Sequence, residues 1–179
     1  MLEIDKFARA LLEEAKRFLE KASDEKSSPG SDAYLHGAVM LSFCALEAHV
    51  NAVAEEVAGR TEVSTHEKGF LLEKAVRLEN GEFRLTNVLK MARLEDRIKL
   101  LHAKFGRPFN HSDKHWSQLA DALIIRNRLS HPKDAIRLTE SEVGRAITAI
   151  VDTIDALYRA VYNRKFPAAS RGLKSKLEF

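Results

Sequence analysis

The chain has 179 residues, 45% hydrophobic and 31% charged, with a net charge of +3 at pH 7; this balance fits one folded domain and excludes a disordered or fibrous chain. The single cysteine, Cys44, excludes a disulfide framework within the chain, and its apolar surroundings predict a small buried hydrophobe. The N-terminus is charged and amphipathic, without a signal-peptide core, and the longest weakly polar run, 37–46, is too short to span a membrane, so a cytoplasmic protein with no membrane partner is expected.

Apolar residues recur at helical spacing almost throughout. A first helix is predicted over 4–22, with Phe7, Leu11, Leu12, Ala15, Phe18 and Leu19 as its stripe. Pro29 and Gly30 mark a loop, with Ser31 or Asp32 able to cap a second helix over 33–58. Between Val39 and Ala54 that helix carries only Glu47 as a charged residue, which predicts a central helix contacted on more than one side. A third helix is expected over 65–77. Asn80-Gly81 then signals a turn, compatible with a small hairpin or with a helix-to-helix loop.

A fourth helix is expected over 85–104 and a fifth over 112–130, with Ser112 as N-cap. The fifth must stop near His131, because Pro132 disfavours helical geometry at the preceding residue. The sixth begins after Thr139, where Glu142 completes a capping box. The reading is an all-α antiparallel up-and-down bundle of about four core helices with one or two additional short helices. It occupies residues 1–163, and 164–179 is expected to be a short, loose basic tail.

Charge is unevenly spread. Lys and Arg exceed Asp and Glu by 6 in residues 87–137 and by 5 in 159–179, whereas the remaining segments are acidic. That asymmetry suits an anionic partner such as RNA, although a solvated helix face with a basic tail would read the same way.

The chemistry concentrates in residues 124–132, where Arg126, Asn127, Arg128 and His131 crowd the end of an otherwise apolar helix. Asn127 and His131, four apart, share a face. Arg126 lies five before His131, well apart in angle on an ideal helix, but Pro132 frees the imidazole to be re-aimed. A group that titrates near neutrality then sits beside a fixed cation, an arrangement suited to acid–base chemistry on a phosphodiester. Arginine and histidine at a helix C-terminus also complement the helix dipole, so a purely structural role fits the same residues.

Arg126, Asn127, then His131 followed by Pro132, at the end of a penultimate helix, resembles the signature of HEPN domains. The second helix is similar to that family's apolar helix with one acidic and one Asn position, here Glu47 and Asn51. The resemblance implies an all-α domain that dimerises so that two Arg–His pairs line one cleft. It further implies a metal-independent endoribonuclease without cofactor, a toxin or defence component with an antitoxin or nucleotidyltransferase as further partner. Other members of the family keep the fold as modules that bind RNA, a nucleotide or a partner protein, or that serve assembly.

On the catalytic reading, His131 acts as general acid or base on the 2′-OH or the leaving oxygen. Arg126 stabilises the charge of the phosphorane, and Asn127 orients the imidazole or bonds a phosphate oxygen. Glu47 fixes Arg126 or His131, with Asn51 beside it in support, while Arg128 and Lys133 hold the RNA backbone. The products are a 2′,3′-cyclic phosphate and a 5′-OH.

Other residues read as structural. His111 and His115 flank Asp113, but the zincin glutamate is missing and no metal is expected. His49, His66 and His102 read as core-edge or surface histidines, and Phe7, Phe18, Phe43 and Phe70 as core. The basic run from Arg171 to Lys176 reads as a solvated tail.

Overall fold

The computed structural model describes residues 3–106 and 113–179, and these form a mainly α-helical fold with one small antiparallel hairpin. The expected N-cap Ser112 and His111 lie outside the described residues.

Helix α1 spans Glu3–Asp24. Ala8, Leu11, Leu12, Ala15, Leu19 and Ala22 are buried at three- and four-residue spacing and press against the second helix. That helix, α2, spans Ser28–Ala58 and starts earlier than predicted. Ser27 is the N-cap, accepting from the Gly30 N–H at 3.3 Å, and Pro29 lies in the first turn rather than in a loop. Proline is suited there, because the N–H it lacks would have had no helical partner. Fifteen residues of α2 are buried, and it touches α1 together with all four later helices. By length and apolarity alone α2 could cross a membrane, but 61% of its most apolar stretch is buried inside the protein, as in a central core helix.

Helix α3 covers only Thr65–Leu71, opened by a capping box between Ser64 and Glu67. It stops short of the predicted Arg77, because the chain turns at Glu73 (φ 53°) into strand β1, Lys74–Glu79. Asn80 (φ 52°) and Gly81 (φ 84°) then form the two-residue turn to β2, Glu82–Leu89. Val76 pairs with Leu85, Arg77 with Arg84 and Leu78 with Phe83. Of the two readings left open at Asn80-Gly81, the hairpin is the one that forms. It takes residues 85–89 away from the predicted fourth helix, and α4 runs from Leu94 to Phe105. Gly69 lets the hairpin approach α3: a Cβ there would lie 2.5 Å from Val76 Cγ2 and 2.8 Å from the Lys74 carbonyl oxygen.

Helix α5 covers Lys114–Ser130 and ends at His131 as C-cap. Helix α6, Glu140–Tyr162, opens with the Thr139–Glu142 capping box and closes on Asn163 in the left-handed conformation. It packs on α1, α2, α4 and α5, with Val143, Ile147, Ile150, Ile154 and Leu157 fully buried.

Residues 164–179 are not a loose tail. Phe166 and Ala168 are buried in the core, followed by a short 3-10 turn at Ala169–Arg171. The Ser175 hydroxyl donates to the Glu13 carbonyl at 2.8 Å, and the Lys176 N–H donates to Glu13 Oε2 at 2.7 Å. The Phe179 ring meets the edge of Phe18. Two further expectations change. Phe43 is buried, but Phe7 and Phe70 are exposed and Phe18 is half-buried. Cys44 is exposed rather than buried.

Candidate functional site

One turn apart on α2, Glu47 and Asn51 look onto a cleft of about 560 Å³ between α2, α5 and the segment joining β2 to α4. Arg126 reaches across from α5: its Nη2 donates to Glu47 Oε1 at 3.1 Å and its Nη1 to Asn127 Oδ1 at 3.2 Å. Arg126, Asn127 and Glu47 therefore form one hydrogen-bonded group. Of the two partners considered for Glu47, Arg126 and His131, its carboxylate accepts from Arg126.

Asn51 is engaged by a residue the sequence did not single out. Arg97 of α4, only 4% exposed, donates to Asn51 Oδ1 at 2.6 Å and to the Leu71 carbonyl at 2.7 Å, and lies 3.3 Å from Glu73 Oε2. Glu73 in turn accepts from the Ala92 N–H at 3.0 Å. Arg97 thus ties α2 to the end of α3 and, through Glu73, to both ends of the hairpin. Burial lowers its pKa, opposed by Glu73 and Glu47, yet a guanidinium stays charged in protein. The sequence carries a signal: Arg97 falls on the inward stripe of α4 with half-buried Leu94 and buried Ile98 and Leu101, where a lone arginine needs acceptors.

His131 lies elsewhere on the same helix end. Its backbone has left the helix (φ −131°, ψ 65°), its N–H donates to the Asn127 carbonyl at 2.9 Å, and its side chain is exposed. Together with Ile124, Asn127, Arg128, Lys133 and Asp134 it lines a second hollow of about 350 Å³. Asn127 borders both hollows. Within one chain, Arg126 and His131 open into adjacent hollows with Asn127 between them, so the turn at Pro132 does not bring the imidazole beside the guanidinium as expected. Arg128, His131 and Lys133 are exposed, and their side chains have no hydrogen-bond or ion-pair partner among the described residues.

Cys44 neighbours this group electrostatically. Burial and Glu47 raise its thiol pKa and Arg126 opposes them, so the thiol stays protonated at neutral pH. The other histidines divide by environment. His66 is exposed with its ring against Phe83, and His102 is half-buried with its pKa lowered by burial and by His115, against Asp113. His49 is fully buried instead of lying at the core edge, packed edge-on against Tyr158 and Phe166. Among the described residues no group of three or more His, Cys, Asp or Glu side chains is arranged to hold a metal ion.

Comparison with protein-family models, curated proteins and solved structures finds no match to this chain. What the site can do therefore rests on its own chemistry. A helix end presents an exposed imidazole, two exposed cations without partners among the described residues and an amide, beside a guanidinium held by a carboxylate.

Proposed function

We propose that the chain is a HEPN-like, metal-independent endoribonuclease. It acts as a homodimer of antiparallel up-and-down bundles in the cytoplasm, as a toxin or defence component. The observation that carries this reading is the end of α5. Pro132 turns His131 out of the helix into solvent, while Glu47 and Asn127 fix the Arg126 guanidinium on the other side of the same amide. A free imidazole can move a proton between the 2′-OH and the leaving 5′-oxygen, and a fixed cation can stabilise the phosphorane. Arg128 and Lys133, exposed beside His131 and without a partner among the described residues, suit the phosphates on either side of the cut. Uncovered apolar residues next to the site, Ile124 at 60% and Met91 at 74% exposure, suit a second copy of the chain.

One observation favours the second reading, a non-catalytic module that binds RNA, a nucleotide or a partner protein. Arg126 is neutralised by Glu47 and does not share a hollow with His131 in one chain. Labelled RNA incubated with wild type, Arg126→Ala and His131→Ala separates the two. The ribonuclease reading predicts a fall of about 10²-fold or more in cleavage rate for His131→Ala and a large loss for Arg126→Ala. RNA retention by all three proteins without cleavage by any supports the binding module.

A further inference from the structure

We propose that the cleft beside Arg126 is a nucleobase pocket selective for guanine, so that the chain engages RNA at guanosine. The proposal deepens the ribonuclease reading and rests on it for the RNA. The charges of the cleft point to the ligand. Three arginines, Arg93, Arg97 and Arg126, face three glutamates, Glu47, Glu73 and Glu95. Two of the pairs close internally, Arg126 on Glu47 at 3.1 Å and Arg97 on Glu73 at 3.3 Å. The side chains of Arg93 and Glu95 have no partner among the described residues.

A cleft of balanced charge is a poor host for a polyanion, so phosphates stay outside, at Arg128 and Lys133. The inside suits a neutral ring rich in donors and acceptors. A guanidinium and a carboxylate, both without a partner among the described residues, stand two residues apart, Arg93 at the N-cap and Glu95 in the first turn of α4. Guanine is the base that complements both. Its N1–H and N2–H groups form a double donor for a carboxylate, and O6 and N7 form a double acceptor for a guanidinium. Adenine lacks the N1–H and presents an amine where guanine presents O6. Uracil offers a single N–H, and cytosine an amine beside an acceptor. Buried Arg97, whose Nε has no hydrogen bond, borders the same cleft. Leu94, Leu123 and the exposed Met91 supply apolar contact for the ring faces.

The test is calorimetric titration of the full chain with 3′-GMP, 3′-AMP, 3′-UMP and 3′-CMP. The expected result is GMP binding about tenfold tighter than the other three. Glu95→Gln should remove about that factor for GMP while leaving AMP unchanged, and Arg93→Gln, at an exposed position, should weaken GMP in the same way. Equal affinity for the four nucleotides, or GMP binding unaffected in both variants, overturns the proposal. Binding is read without turnover, so the two readings fail separately. GMP selectivity without RNA cleavage keeps the pocket and removes the ribonuclease. RNA cleavage with no nucleotide selectivity does the reverse.

Discussion

His49 packs between aromatic rings with neither ring nitrogen hydrogen-bonded, and Asp5 Oδ1 stands 3.9 Å from Nδ1. Burial outweighs that carboxylate and holds the imidazole pKa down to about 4, against an ordinary 6.5. The unfolded chain therefore takes up the proton first. His49 leaves stability intact above pH 6.5, and stability is lost as pH falls from there toward 4. The loss at pH 5 should be about 2 kcal/mol, read from urea midpoints, and His49→Phe should abolish it. Arg97 sits in an opposite situation, charged and bonded on three sides. Arg97→Met leaves Glu73 and Asn51 without their partner and should cost about 3 kcal/mol in the unfolding midpoint. Arg97→Lys should not rescue it, since a single ammonium cannot reach all three acceptors. The two residues also mark how far the site can be read from sequence. Arg126, Asn127 and His131 stand out because they are crowded before a proline. Arg97 hides inside an ordinary apolar stripe, and its acceptors, Asn51 on α2 and Leu71 and Glu73 at the junction of α3 with β1, lie far from it in the chain.

At the scale of elements, long periodic stripes carry over from sequence to structure for α1, α2 and α6, and the capping box expected at Thr139 and Glu142 opens α6. The expectation fails around residues 72–93. Lys74 to Leu78 fits a continued helix almost as well as a strand when read locally. What decides is the Asn80-Gly81 turn, which pairs the segment with 82–89, and Gly69, which lets the pair lie on α3. Ser27 does not stand out as a cap in the sequence because Pro29 reads as a loop signal, although the first helical turn accepts proline. Gly69→Ala tests how the hairpin is seated. Its Cβ would press on a backbone carbonyl as well as on Val76, so the hairpin must move at a cost of about 1–3 kcal/mol. Hydrogen exchange should show protection lost at 74–89 and kept in α1, α2 and α6. Unchanged protection at the hairpin would contradict this packing.

Across the whole molecule, the mainly helical character follows from composition and periodicity, while the course of the C-terminal segment does not. Its basic residues suggest solvation, but Phe166 fills the core beside His49 and Tyr158, and Glu13 accepts from the Lys176 backbone N–H and lies 3.7 Å from the Arg171 guanidinium. Such long-range docking leaves no local pattern. The same scale separates the fold from the function, because the hollows beside Arg126 and His131 meet only at Asn127 and the proposed dimer would have to join two such ends. The most direct measurement is the chemistry of the RNA ends made by purified protein in excess EDTA, with His131→Ala in parallel. The account predicts 2′,3′-cyclic phosphate and 5′-OH ends from the wild type and none from the variant. Cleavage that stops in EDTA, or that continues unchanged in His131→Ala, would contradict it.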